Sequence, residues 1–228
     1  MSKIYIPTEK TEDWKRFLAS ETHWREGYSA YTLAHCWEDA NGFPQEIADV
    51  ISKKQEFADP EMLIGIPELK VPLPGGKADS QNDIWVLGKC SDGLFSIAVE
   101  GKVDESLGRT IEEWNWKASD GKEKRLKDLC KLLEFEFPPQ AELRYQLFHR
   151  TASALIMAKE YCAKYAIMLI HSFSQTGKSF NDYVNFGICL GITEQIEKNE
   201  IYKVGNRYDL GLYIGWIQGK EKYLTALE

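Results

Sequence analysis

The stretch that decides the fold is residues 83–102, DIWVLGKCSDGLFSIAVEGK. It contains two runs rich in β-branched and aromatic residues, at 84–89 and 94–99. Between them lies Cys90-Ser91-Asp92-Gly93, and an Asp-Gly pair flanked by apolar runs is a strong signal for a tight turn. The sequence therefore predicts a β-hairpin.

The length of the loop sets which residues of the hairpin face each other. A four-residue loop pairs Lys89 with Leu94 and places Asp83 directly opposite Glu100, with Cβ atoms about 5 Å apart. A two-residue loop on the Asp-Gly pair shifts the register by two and leaves the acids near neighbours. Because successive side chains of a strand alternate between its faces, Lys102 shares a face with Glu100. Two acids and one lysine thus converge at one end of the hairpin.

Carboxylates this close repel each other, and such a pair shares a proton or binds a cation. Oxygen ligands that leave room for water are those that Mg²⁺ prefers. A divalent ion there would neutralise a phosphate, and Lys102 could orient the attacking water. The group therefore predicts a site for phosphodiester hydrolysis, and the alternative is an ordinary exposed hairpin end.

The short pattern acid-x-Lys is weak by itself, and its context carries the prediction. It occurs four times, at 13–15, 68–70, 100–102 and 120–122. The other three lack an upstream apolar strand with an acid on its hairpin partner.

Outward from the hairpin, helical and strand patterns alternate, which predicts an α/β fold with a mixed sheet. The predicted elements are helices at 13–20 and 28–40, a helix from Pro44, strands at 69–73, 84–89 and 94–99, helical sequence at 110–133, a helix from 140 to about 163, a strand at 165–171, a helix at 180–190 and a strand at 210–217.

The composition sets limits on the class of protein. The 228 residues carry a formal charge of −7 and are 43% hydrophobic, which is typical of a globular chain and unlike a bulk polybasic nucleic-acid binder. Five cysteines without C-x-x-C spacing favour free thiols in a reducing compartment. Residues 1–7 do not resemble a signal peptide, and the longest apolar run, around 166–170, is too short to span a bilayer. We therefore expect a cytoplasmic protein without a membrane partner.

The hairpin also carries a family resemblance. Asp83, sixteen intervening residues and then Glu100-Gly101-Lys102 at a strand end resemble the PD-(D/E)XK nuclease superfamily, the restriction-endonuclease-like fold. That core has the order helix, three strands, helix, strand, which the predicted elements from Pro44 to 171 match. The segments WREGYSA (24–30), AVEGKV (98–103) and RYQLFHR (144–150) are similar to an uncharacterised bacterial branch of it.

The resemblance implies roles for individual residues. Asp83 and Glu100 would ligate Mg²⁺ or Mn²⁺, the Gly101 carbonyl would add a third ligand, and Lys102 would be the catalytic lysine. Glu46 is the best-placed match to a glutamate that many members carry on the first core helix, and Gln146 loosely matches a glutamine found on the helix after the motif strands. The implied domains are a helical N-terminal extension at 1–43 and a nuclease-like domain at 44–228. Two departures are Asn82, where proline is common, and a charged insertion at about 104–139.

Gln146 belongs to a polar stripe on the predicted helix after the hairpin, with His149, Arg150 and Ser153 at helical spacing. The stripe could touch the active site or a phosphate, with Arg150 as a bidentate donor, or it could be a solvated face.

Three functions follow from these patterns. The first is a metal-dependent nuclease acting on DNA or RNA, with a homodimer expected if it cuts both strands. The second is a non-catalytic interaction module on the same fold, with a protein partner in a defence or repair system. The third is a nucleotide-binding protein using Lys178 and Ser179, against which Ser172 stands where a phosphate-binding loop requires glycine.

Overall fold

A computed structural model describes residues 8–225, which form an α/β fold around a six-stranded mixed sheet. The helices are α1 (Ser29–Ala40), α2 (Gln45–Ile51), α3 (Ile111–Asn115), α4 (Asp120–Leu133), α5 (Tyr145–Glu160) and α6 (Phe180–Cys189). The strands are β1 (Glu61–Pro67), β2 (Lys70–Val71), β3 (Ser80–Gln81), β4 (Ile84–Cys90), β5 (Gly93–Lys102), β6 (Tyr165–Ser172), β7 (Glu200–Arg207) and β8 (Leu210–Gln218). Short 3₁₀ helices cover Thr11–Phe17, Glu21–His23, Gln55–Phe57 and Glu221–Leu224. The residues 1–7 considered for a signal peptide lie outside the described part.

The predicted hairpin is confirmed as the antiparallel pair β4–β5. Lys89 pairs with Leu94 and Ile84 with Val99, so the register continues to place Asp83 opposite Glu100. Pairing extends to Cys90 and Gly93, and the turn itself is Ser91-Asp92. The register is therefore the first of the two that the sequence allowed.

The first strand of the core differs from the prediction. It is β1 (Glu61–Pro67), which pairs antiparallel with β4, whereas the segment 69–73 contributes only the two residues of β2 to a small separate sheet with β3. Pro72 has no N–H for a strand pair, so pairing stops at Val71. The predicted strand at 69–73 is therefore confirmed only for the two residues of β2, and its predicted place in the core is taken by β1.

Beyond the hairpin, the sheet continues through a parallel crossover. The order is β1-β4-β5-β6-β8-β7, with β5–β6 and β6–β8 parallel and the outer pairs antiparallel. The crossover helix α5 begins at Tyr145 rather than 140, because Arg144 is extended and bridges to Thr110. The edge strand β7 had no counterpart among the predicted elements.

Helices cover both faces of the sheet. On one face α5 packs on β5 and β6, with α4 against α5 and α6 against β8. On the other face α1 and α2 pack on β5, β7 and β8 around a core that includes Trp14, Leu33 and Trp37. The N-terminal region from residue 8 therefore shares the core of the sheet, and α4 of the charged 104–139 segment packs on the crossover helix. Within residues 8–225, no helix has the length and apolar character needed to cross a membrane.

Candidate active site

The open end of the hairpin meets the first turns of α5, and five of the six predicted site residues come together there. Lys102 Nζ lies 2.6 Å from Glu100 Oε1, as expected for side chains two apart on one strand. The same oxygen accepts a 2.7 Å hydrogen bond from Gln146 Nε2 on α5. Asp83 Oδ2 accepts a 2.8 Å hydrogen bond from the backbone N–H of Gly101. The structure thus groups Asp83, Glu100, Gly101, Lys102 and Gln146.

Arg150, one turn after Gln146, joins the two acids. Its Nε donates to Glu100 Oε2, and its terminal Nη2 lies 3.5 Å from Asp83 Oδ1. The other terminal nitrogen, Nη1, donates to Ser80 Oγ at 3.0 Å. Arg150 is 5% exposed, so it does not belong to a solvated face. The guanidinium spans the carboxylates that the sequence placed opposite each other.

A third acid, Glu68, was missed by the sequence analysis. Its backbone N–H donates to the carbonyl of Asp83 at 3.0 Å, one step beyond the last β1–β4 pair. Its Oε2 accepts a 2.7 Å hydrogen bond from Gln81 Nε2. Glu68 is identifiable in the sequence by its position directly after a strand that ends at Pro67. Placing the first core strand at 69–73 hid that signal.

Burial and neighbouring charges shift the pKa values of the three acids in opposite directions. Burial and the nearby Glu100 carboxylate raise the pKa of Asp83 to about 7. Burial and Asp83 raise the pKa of Glu68 to about 8. Burial also opposes ionisation of Glu100, but Arg150 and Lys102 outweigh it and lower the pKa of Glu100 to about 2. The site therefore holds one firmly ionised carboxylate, Glu100, beside two acids, Asp83 and Glu68, that retain protons near neutral pH.

The lysine stays charged in this environment. Burial disfavours its ammonium, yet the Glu100 and Asp83 carboxylates raise the pKa of Lys102 above its usual value. Lys102 is therefore a fixed positive charge rather than a base.

The site opens into a cavity of about 650 Å³. Its far wall is built by the N-terminal segment, with Leu18, Thr22, His23, Arg25, Tyr28 and Ser29. Glu105 ties this wall to the sheet: its Oε1 accepts from the Ser29 backbone N–H at 2.9 Å and its Oε2 from the Val103 N–H at 2.7 Å. Gln146 Oε1 is buried without a hydrogen-bond partner among residues 8–225, which leaves an acceptor inside the site.

Glu46, the remaining predicted ligand, does not join this group. It lies on α2, on the opposite face of the sheet, where its Oε1 is 3.3 Å from His171 Nε2 and accepts a 3.6 Å hydrogen bond from Cys36 Sγ. The resemblance assigned it to the active site because a helix precedes the core strands. The packing of α2 against β7 and β8 places it elsewhere.

Comparison with known proteins defines the family. A family model described as "Domain of unknown function (DUF6946)" matches residues 7–221. The chain belongs to the DUF6946 family. The match runs through the N-terminal wall, the hairpin and α5, so the residues of the candidate site all lie within the DUF6946 domain. No curated protein and no solved structure matches the chain.

Proposed function

We propose that this DUF6946 protein hydrolyses phosphodiester bonds of DNA or RNA with the help of a divalent cation, Mg²⁺ or Mn²⁺. The observation that carries the proposal is the placement of Asp83 opposite Glu100 at the mouth of a cavity, with Lys102 against Glu100. The proposal agrees with the core order of the superfamily that the hairpin resembles, since a helix, β1, β4, β5, α5 and β6 follow one another here.

The donor set suits a hard cation. Three carboxylates, Glu68, Asp83 and Glu100, face two fixed positive charges, Lys102 and Arg150, so the fully ionised site carries one net negative charge. The raised pKa values of Asp83 and Glu68 express that excess, and a cation would relieve it as a proton does. Asp83 and Glu100 would hold the ion, with Glu68 beside them. Bound there, it would supply positive charge against the developing negative charge of the phosphate.

The chain's own residues would bind and orient the substrate. Lys102, protonated and buried against Glu100, would offset negative charge on a phosphate oxygen. Arg150, which donates to Glu100 and lies against Asp83, would hold the two acids in position. Gln146 keeps a free buried acceptor to orient a water molecule.

The cavity brings basic and acidic side chains together on a chain of net charge −7. Arg25 lines the cavity together with Lys102, and phosphate binding depends on such local cations rather than on net charge. The N-terminal wall would therefore contact the nucleic-acid backbone.

A second candidate function is a non-catalytic interaction module on the same fold. It is favoured by the engagement of both Glu100 oxygens, which already accept from Lys102, Gln146 and Arg150. A carboxylate satisfied in this way can serve as a structural centre without metal.

Calorimetric titration with Mg²⁺ and Mn²⁺, alongside cleavage assays on plasmid, single-stranded DNA and RNA, distinguishes the two candidate functions. The nuclease proposal expects wild type to bind metal and cut, Asp83→Asn to lose both, and Lys102→Met to bind metal without cutting. Asp92→Asn, in the exposed hairpin turn, is the matched control and should behave as wild type. Absence of metal binding by folded wild type would overturn the nuclease proposal and support the interaction module.

A further inference from the structure

A second group of metal-ligating side chains lies on the face of the sheet opposite the candidate active site. It consists of Cys36 on α1, Glu46 on α2 and His171 at the end of β6, whose ligand atoms all lie within 4.8 Å of one another. Cys36 and His171 are buried, and Glu46 is nearly so. Residues 36, 46 and 171 are therefore brought together by packing of two helices on one strand.

The distances match a tetrahedral metal site. Zinc bonds of about 2.3 Å to sulfur and about 2.0–2.2 Å to nitrogen or oxygen imply S···O and N···O edges of about 3.6 and 3.4 Å in a tetrahedron. The observed distances from Glu46 Oε1 are 3.6 Å to Cys36 Sγ and 3.3 Å to His171 Nε2. Two of the three distances therefore match those between ligands of one ion, and the third pair, Cys36 Sγ and the His171 ring, lies within 4.8 Å.

His171 supplies an independent indication of a ligand. Its side chain is fully buried. Within residues 8–225, Nδ1 has no hydrogen-bond partner and Nε2 has only the 3.3 Å contact with Glu46 Oε1. Buried polar atoms are nearly always satisfied, so an imidazole left open in this way calls for an unseen partner. The ring is held in place by Trp37 and Phe173, at centroid distances of 6.3 and 4.5 Å.

Charge and access also suit a divalent cation. A thiolate, a carboxylate and a neutral imidazole neutralise a 2+ ion, which a buried site requires. Glu46 Oε2 points away from the group, to Lys220 Nζ at 3.5 Å, so the ion pair with Lys220 leaves Oε1 free. Glu46 also lines a cavity of about 220 Å³ with Asp39 and Phe43, which gives a route in and room for a water molecule as fourth ligand.

We propose that Cys36, Glu46 and His171 bind one Zn²⁺ ion, which fastens α1 and α2 to β6. This site is separate from the proposed nuclease site and does not depend on it. Sulfur and nitrogen ligands distinguish it from the all-oxygen donor set around Asp83, so the two sites select different metals.

The test uses the full chain, stripped with chelator and titrated with Zn²⁺ alone by calorimetry, with bound zinc measured after dialysis. We expect one Zn²⁺ per chain, a rise in melting temperature on binding, and a loss of affinity beyond a hundredfold in Cys36→Ser and Glu46→Gln, because removal of a ligand costs more than the about 10–100-fold typical of residues behind the ligands. Co²⁺ in place of Zn²⁺ should give a sulfur-to-metal absorption band that Cys36→Ser abolishes.

Two controls locate the effect. Cys130→Ser removes a buried thiol from the other core and should bind Zn²⁺ and Co²⁺ as wild type does. Asp83→Asn should also retain Zn²⁺ while losing any Mg²⁺ binding, which separates this proposal from the nuclease proposal. If Cys36→Ser does not fold, the Zn²⁺ affinity of Glu46→Gln, a substitution at a partly exposed position, tests the proposal. Absence of stoichiometric Zn²⁺ in wild type, or unchanged binding in folded variants, would overturn the proposal.

Discussion

The backbone N–H of Gly101 donates a 2.8 Å hydrogen bond to Oδ2 of Asp83, eighteen residues earlier in the chain. The residue between Glu100 and Lys102 thus holds the acid on the neighbouring strand. Because Oδ2 is occupied in this way, Oδ1 is the oxygen that faces Arg150 at 3.5 Å. The two halves of the site are joined through the backbone of the motif itself.

This contact predicts that Gly101→Ala disturbs the site. An added Cβ would lie 3.2 Å from Leu33 Cδ2, which must give by a few tenths of an ångström, and 3.4 Å from Asp83 Oδ2, at contact distance. We expect a loss of about 1–3 kcal/mol in the free energy of unfolding, measured by urea titration, and a weaker Mg²⁺ affinity. Gly121→Ala is the control, since its Cβ would meet only Ser119 Oγ at 3.8 Å. Equal stability of Gly101→Ala and wild type would contradict the prediction.

The raised pKa values of Asp83 and Glu68 predict that the free energy of unfolding falls as pH rises. The pKa values of Asp83 and Glu68, about 7 and about 8, exceed their ordinary values of 3.8 and 4.5, so the folded state binds protons more tightly than the unfolded state. Their contribution is complete below about pH 4 and is lost as pH rises through 7 to 8. Urea titrations in chelator at pH 5, 7 and 9 should show this decline in wild type and a shallower one in Asp83→Asn. A parallel decline in both proteins would refute it.

Glu100→Gln should destabilise the protein strongly. The substitution leaves Lys102 and Arg150, each about 5–6% exposed, without their principal carboxylate. Breaking a buried ion pair on one side costs about 3–5 kcal/mol. Glu61→Gln, which removes an exposed pair with Lys89, should cost no more than about 1 kcal/mol. Similar losses in the two variants would show that the Glu100 network is not a stabilising centre. Because the pKa of Glu100 is lowered to about 2, the wild-type network should fail only as pH falls toward 2.

Arg150→Met should tighten metal binding. The guanidinium contacts both carboxylates, so it competes with a cation for the same oxygens. Removal of its charge should raise the affinity for Mg²⁺ by about tenfold or more in calorimetry, since nearby charges interact by several kcal/mol in a protein interior. Arg144→Met, at the start of the same helix and paired with Asp182, should leave the affinity unchanged. Weaker binding in Arg150→Met would mean that Arg150 supports the ion rather than opposing it.

Glu68→Gln should reduce the protons released on metal binding. Glu68, whose pKa is raised to about 8, holds a proton at pH 7 that a cation bound beside it would displace, whereas a glutamine has no such proton to release. At pH 7, Mg²⁺ should therefore displace fewer protons from the variant than from wild type, measured by calorimetry in buffers of different ionisation enthalpy. An unchanged proton count would place Glu68 outside the metal site.

Several features were determined by the local sequence. The Asp-Gly pair and the period of two along 84–102 predicted the hairpin and the meeting of Asp83 with Glu100 and Lys102 in either of two registers; the structure confirms the hairpin and this meeting, and has the first register. These contacts lie close in the chain and obey strand geometry, so no distant packing is needed to specify them.

The remaining partners were decided by tertiary structure. Arg150 reaches Glu100 across fifty residues because the α5 crossover lies over β5, and Glu68 reaches Asp83 because β1 pairs with β4. Glu46 lies beside Cys36 and His171 instead of in the predicted site, because α2 packs on the opposite face of the sheet. Local periodicity describes which face of its own element a residue occupies, whereas the burial of apolar surface between distant segments decides which elements meet and thereby which side chains share a site.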